Sequence, residues 1–248
     1  MTPEQLIAEA CPKIRDYGWA YYFVSATTER GKELGLDPLQ WYFLGRGGGL
    51  GDVEASVARA AFGYFEPGLF QVMWDSAREV LDERTAGHEH YLCAANHGRR
   101  HLAGLDGLDT FCAAAERVVD AGDDTALPLY AAYRAEPLVE DLPGRAMQLL
   151  ATLRELRGSA HLLALRAVGL DTLRAHAITR PDDLAMFGWT DDALPPIDES
   201  HRELRQRAEA LTDEVVLPAY AALDADAQQA LLGGLSKIEA TLTRPRLG

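Results

Sequence analysis

Residues 147–170 read MQLLATLRELRGSAHLLALRAVGL, and most positions of this long run are apolar. Leucine and alanine supply most of its apolar positions, and both residues favour helix. Arg157 and His161 stand four residues apart, so on a helix they lie one turn apart on the same face. Because leucines surround that face, the two polar side chains need partners inside the protein. A bound ligand is one such partner, and a structural carboxylate is the alternative.

Helical spacing of apolar residues extends from this run through most of the chain. We predict helices over 3–34, 38–45, 53–64, 67–80, 88–119 with a break at 104–107, 124–137, 143–170, 171–178, 199–222 and 224–242. Asp52, Asp171 and Asp224 are the predicted N-caps. No segment shows the alternation of a β-strand. The expected fold is therefore mostly α-helical, with a multi-helix N-terminal domain (1–142) and a C-terminal helical domain (143–248) linked by the helix 143–170.

Five glycines between Gly45 and Gly51 predict a loop around Arg46. The stretch lacks the Lys-Ser/Thr ending of a phosphate-binding loop, which argues against a nucleotide site. The glycines would let the backbone pass close to another element and aim Arg46 inward or at a ligand. A plain exposed loop is the alternative.

Charge and composition exclude several classes of function. The chain has 24 basic and 38 acidic residues, a formal charge of −14, so we expect no nucleic-acid partner. We expect no membrane span, because no uncharged apolar run approaches twenty residues. The N-terminus lacks a signal core, so the expected location is cytoplasmic. Three scattered cysteines predict neither a disulfide framework nor a structural zinc site.

A pocket for an anionic or aromatic ligand is the predicted functional site. Arg46, Arg157 and His161 are its predicted polar groups, since arginine binds acids through paired donors and histidine transfers protons near neutral pH. Tyr22 and Trp74 are its predicted walls. If the protein is an enzyme, His161 is the candidate catalytic general acid or base. Haem is an alternative occupant, with His161 as its axial ligand, and a scaffold without a ligand is a further alternative.

A second histidine pair offers a weaker metal hypothesis. His97 and His101 share a helical face, and His90 is near enough in sequence to join them. Arg99 and Arg100 would oppose a cation at this place. We therefore predict no metal site and keep this pair as the alternative to a solvated helix face.

The order of several short motifs resembles a family of mostly uncharacterised actinobacterial proteins labelled helix-turn-helix. The motifs are Tyr21-Tyr22, Arg46 to Gly51, Phe62 to Pro67, Trp74, Leu156 to His161 (L-R-G-x-x-H), Gly169-Leu170, Gly188-Trp189 and Thr212-Asp213. Tyr17 is a further candidate ligand-binding residue, and it is also a departure from the family, which usually has a histidine at this position.

The resemblance implies a winged helix-turn-helix after Gly188-Trp189, and with it a DNA-binding transcription regulator as the alternative function. Here residues 190–200 hold two prolines, four acidic residues and no lysine or arginine. A helix cannot pass through Pro195-Pro196, and phosphate would be repelled. We therefore expect a degenerate, winged-helix-like C-terminus with a shortened helix-turn-helix region. The apolar stripe of 199–222 suggests a homodimer.

Overall fold

The structure of the protein is a computed structural model, which describes residues 1–244 with the exception of the Asp191 side chain. Those residues form twelve α-helices and no β-strand, as the helical periodicity predicts. The first six are α1 (Pro3–Tyr17), α2 (Ser25–Glu33), α3 (Pro38–Gly47), α4 (Ala55–Phe62), α5 (Pro67–Arg78) and α6 (Glu83–His101). The others are α7 (Leu108–Ala121), α8 (Pro128–Ala135), α9 (Leu142–Val168), α10 (Thr172–Thr179), α11 (Glu199–Ala221) and α12 (Ala225–Thr241). Short 3-10 turns lie at Gly48–Leu50, Pro181–Phe187 and Asp191–Ala193.

Helix α9 is the centre of the fold. It packs against α1, α6, α7, α8, α10 and α11, and 16 of its 27 residues are buried. That many buried positions surround the whole helix rather than one stripe, which explains its nearly continuous apolar sequence. Asp141 caps its start by accepting a hydrogen bond from the backbone N–H of Gly144, and Gly169 ends it at a φ of 81°.

Two groups of buried apolar side chains form the core. The larger runs from Leu6 to Leu242 and draws on both sides of residue 142. The smaller joins the end of α9 to α10 and α11 through Leu165, Leu170 and Ala208. The division into domains 1–142 and 143–248 stays a prediction. None of the described helices is both long and apolar enough to cross a membrane.

Three local predictions were wrong. The segment 3–34 is two helices, since α1 ends before Gly18. Gly18 packs closely on α9, where an added Cβ would lie 2.6 Å from the Cβ of Arg154. The glycine stretch is not a loop: α3 continues through Gly47, since packing overrides low helix propensity. Helix α4 begins after Glu54 without a side-chain cap, and Asp52 instead pairs with Arg78.

The glycines nevertheless allow close approach, as the sequence suggested. A Cβ on Gly45 would lie 2.7 Å from the ring of His90, and one on Gly47 would lie 2.7 Å from Trp74. A Cβ on Gly48 would overlap the backbone of α6. This contact fixes α3 against α6 and turns Arg46 into the interior, where its side chain is 9% exposed.

Candidate functional site

Arg157 and His161 share one face of α9, as their spacing predicts, and that face packs on α11. Nη2 of Arg157 donates to Glu209 Oε2 at 2.8 Å and to Asp213 Oδ1 at 3.1 Å. Nδ1 of His161 lies 2.9 Å from Thr212 Oγ1. The structural carboxylates proposed as the alternative to a ligand are thus present, but they do not use every donor of Arg157.

The hydrogen bonds of Thr212 define the protonation of His161. The Thr212 hydroxyl lies 2.6 Å from the carbonyl oxygen of Ala208, which can only accept, so its proton points there. The same hydroxyl must then accept from His161, and Nδ1 carries the imidazole proton. Burial lowers the pKa of His161 to about 4, assisted by the charges of Arg205 and Arg157 and opposed by Glu209. At neutral pH the ring is therefore neutral, with its lone pair on Nε2.

Arg46 belongs to a buried charge cluster that we define as Tyr22, Arg46, Arg154 and Glu155. Nε and Nη2 of Arg46 donate to the two Glu155 oxygens at 3.0 and 2.8 Å. Glu155 Oε1 also accepts from the Tyr22 hydroxyl at 2.9 Å and from Arg154 Nη1 at 2.6 Å. Burial alone would raise the pKa of Glu155, but Arg46 and Arg154 lower it to about 2.

Sequence reasoning missed Glu155, although the signal was present. A glutamate two residues before Arg157, inside a run of leucines, is buried completely and needs a cationic partner. The arginine that pairs with it, Arg46, comes from a helix more than a hundred residues away. No spacing rule connects the two positions, so only the fold identifies the pair.

One cleft collects most of these groups, and we call it the arginine cleft. It has a volume of about 200 Å³ and lies between α3–α4 on one side and α9–α11 on the other. Aromatic rings of Tyr42, Phe62, Tyr64, Phe65 and Phe187 form part of its lining. The charged lining consists of Arg15, Arg46, Arg154, Arg157, Arg180, Arg205, Glu155 and Glu209. Six arginines thus face two carboxylates.

Several polar atoms of this lining are buried without a hydrogen-bond partner among residues 1–244. They are Arg157 Nε, Ser159 Oγ, His176 Nε2 and Arg205 Nε. Buried polar groups are normally hydrogen-bonded, and an exception needs an explanation. Each of these four atoms is covered by protein, so a ligand in the cleft would reach them only after a side-chain movement.

The structure brings three of the six predicted site residues to the arginine cleft: Arg46, Arg157 and His161. Tyr22 is buried behind it and supports Glu155. Trp74 is buried on α5, where its indole N–H donates to the Val53 carbonyl at 3.1 Å. Tyr17 is buried at the end of α1 and does not line the cleft.

The rings of His97 and His101 lie 4.4 Å apart on α6. The described residues contain no group of three or more candidate metal ligands. Burial and the charges of His101 and Arg100 lower the pKa of His97 to about 4. His90 is fully buried among Tyr21, Tyr22 and Trp41, apart from the other two.

The residues just before the segment expected to hold the helix-turn-helix pack against the cleft region, and Phe187 lines the cleft. Phe187 stacks on Phe65 at a centroid distance of 4.4 Å. The Trp189 indole N–H donates to the Tyr64 carbonyl at 2.8 Å. Between Trp189 and Glu199 the structure has only the 3-10 turn Asp191–Ala193. No α-helix lies between the Gly-Trp pair and α11 that could serve as a recognition helix. This agrees with the shortened helix-turn-helix region expected from the sequence.

Comparison with known proteins agrees with the motif order. A family model described as "Helix-turn-helix family" matches residues 9–246. No curated protein and no solved structure matches the chain. The actinobacterial origin implied by the resemblance stays a prediction. Because the family model covers nearly the whole chain, the protein belongs to this helix-turn-helix family.

Proposed function

We propose that the protein binds a small aromatic acid in the arginine cleft. The observation that carries this proposal is the charge of the lining: six arginines against two carboxylates in a chain whose net charge is −14. A concave site of one sign concentrates ligands of the opposite sign. Selective placement of cations in one cleft of an acidic protein therefore favours an anionic ligand.

The arginines differ in how free they are to bind a ligand. Arg46 and Arg154 are committed to Glu155. Arg157 and Arg205 line the cleft, and their guanidinium groups share one lining carboxylate, Glu209. Arg180 forms no side-chain ion pair with any described residue. Arg157, Arg180 and Arg205 are therefore the proposed acid-binding groups, because charge-assisted hydrogen bonds to carboxylates are the strong ones.

Volume and wall chemistry limit the ligand. A cleft of about 200 Å³ is below the ~300–1,000 Å³ that is typical of drug-sized ligands. The aromatic rings on one side suit a flat ring that carries the acid. This supports a single-ring acid rather than haem, although the unprotonated Nε2 of His161 is the form that ligates iron. The visible absorption spectrum of the purified protein tests the haem alternative directly.

Calorimetric titration with matched ligands tests the proposal. Benzoate, phenylacetate and phenyl phosphate carry the charge, whereas benzamide has the shape of benzoate without it. We expect at least one acid to bind at least tenfold more tightly than benzamide. Arg205→Gln should weaken acid binding about 10- to 100-fold, the loss of one charged hydrogen bond. Arg202→Gln, the same change on an exposed α11 residue, should alter it less than twofold. Equal binding of benzamide, or no binding of any acid, contradicts the proposal.

DNA binding is the second candidate function, because the family description favours it. The acidic segment 190–200 and the 3-10 turn within it offer no basic helix for the major groove. We therefore expect no sequence-specific complex in gel-shift titrations against genomic fragments at low salt. A specific complex that resists competitor DNA would favour the regulator over the ligand-binding protein.

A further inference from the structure

We propose that His161 is a specificity-determining residue that selects acids carrying a hydrogen-bond donor, such as a phenolic O–H. The inference rests on the proposed function, since it concerns a second group on the same ligand. The charge of the cleft does not by itself require a hydrogen-bond donor on the ligand. That requirement follows from the direction of the hydrogen bonds that His161 makes.

The chain of hydrogen bonds runs from His161 along α11. The imidazole Nδ1–H donates to Thr212, and the Thr212 hydroxyl donates to the Ala208 carbonyl. A backbone carbonyl has no proton to return, so the direction of both bonds is fixed. The tautomer of His161 is therefore set by the helix backbone, and Nε2 is left as an acceptor.

Nε2 is the ring atom available to a ligand. It makes no hydrogen bond with the described residues, and His161 lines the cleft. It is also absent from the fully buried polar atoms that lack a partner, so it retains some contact with the cleft. A ligand that places an O–H or N–H at this atom satisfies it, whereas a carbonyl, ether or second carboxylate there repels its lone pair.

The charges around His161 keep Nε2 an acceptor. Arg157 lies one turn away on α9, and Arg205 and Glu209 face the ring from α11. Glu209 pairs with both arginines, so its charge is shared among them. Every other free group that we assign to ligand binding is a donor. Nε2 of His161 thus places an acceptor beside the arginine donors that would hold the acid group, which permits discrimination between acids of similar size.

Matched phenols and ethers test this selection. The probes are benzoate, the three hydroxybenzoate isomers and the corresponding methoxybenzoates, which accept but cannot donate. We expect at least one hydroxybenzoate to bind about tenfold more tightly than benzoate and than its own methoxy ether, the value of one hydrogen bond. His161→Phe should abolish the difference between each phenol and its methoxy ether, and the ratio of the two affinities within one variant is the readout. A preference that survives in His161→Phe, or the absence of any preference for the phenol, overturns the inference.

Nitrogen NMR of the protein labelled at histidine tests the tautomer without any ligand. We expect a protonated Nδ1 and an unprotonated Nε2 for His161 at pH 7. Thr212→Val removes the acceptor at nearly constant shape, so the Nδ1–H form and the phenol preference should be lost together. If acids bind but Nε2 carries the proton, this inference fails while the proposed function stands. If no acid binds, the proposed function itself has failed.

Discussion

Replacing Glu155 by glutamine tests how far the fold depends on the buried charge cluster. The change preserves shape but removes the negative charge that Arg46, Arg154 and Tyr22 all contact. Arg46 then stays buried without a counter-ion. Removing one partner of a buried pair costs about 3–5 kcal/mol, because the other charge is left uncompensated.

The lowered pKa of Glu155 agrees with this order of magnitude. Its fall from 4.5 to about 2 corresponds to roughly 3 kcal/mol at about 1.4 kcal/mol per unit. Both routes therefore predict a loss of about 3 kcal/mol in the free energy of unfolding. For a chain of this size, that loss lowers the Tm by about 6–12 °C.

Urea denaturation followed by far-ultraviolet circular dichroism at pH 7 measures this loss. Glu33→Gln is the matched control, since Glu33 is 66% exposed and pairs with Arg30 on the surface. The control should change the free energy of unfolding by less than about 1 kcal/mol. If Glu155→Gln is no less stable than Glu33→Gln, the cluster does not hold the fold as its geometry implies.

The contribution of Glu155 to stability should also depend on pH. A carboxyl whose pKa is lowered on folding stabilises the protein fully above its unfolded value, here 4.5. That contribution is lost as the pH falls through 4.5 towards 2. The stability difference between wild type and Glu155→Gln should therefore be constant from pH 7 to 5 and shrink below pH 4.5. A difference that does not change down to pH 2 would contradict this.

Three further outcomes are expected. His90→Leu should raise the free energy of unfolding by about 1–2 kcal/mol in urea titrations, because both ring nitrogens are buried without a partner among residues 1–244; a destabilised variant refutes this. Gly48→Ala should lower the free energy of unfolding by at least about 2 kcal/mol, since its Cβ overlaps the α6 backbone. Gly233→Ala, with open space around it, should raise the free energy of unfolding by about 0.5–1 kcal/mol. Equal stabilities of the two variants would refute the packing argument. Ellman's reagent at pH 8 should label no thiol until urea is added, because burial raises the pKa of all three cysteines: Cys11, Cys93 and Cys112. Rapid labelling of the native protein would show that a thiol is accessible.

Helix content and most helix ends could be predicted from local sequence. Asp171 and Asp224 cap α10 and α12 as expected, and the break at 104–107 separates α6 from α7. These features depend on neighbours within one turn, which a sequence displays. The helical course of Gly45 to Gly47 could not be predicted, because it is imposed by contacts with α6 rather than by propensity.

The candidate site could likewise be predicted only where it depends on local sequence. The shared face of Arg157 and His161 follows from a spacing of four residues. Arg46 was identified through its glycines, but its carboxylate partner was not. Arg205 escaped notice because nothing in the sequence says which face of α11 packs on α9. Trp74 was placed in the pocket wall by its aromatic character, whereas its real environment is the packing of α3 against α5.

Helix α9 sets the relative positions of the groups that it carries. Its 27 residues span about 40 Å and carry Glu155 and His161 towards different neighbours at a fixed angle. One residue inserted between them would rotate everything downstream by about 100° and would separate His161 from Thr212 while Glu155 kept its partners. The cleft therefore depends on the angular positions of Glu155 and His161 around the axis of α9. The connections at 122–127 and 194–197 lie outside α9, so a residue inserted there would leave the angle between Glu155 and His161 unchanged.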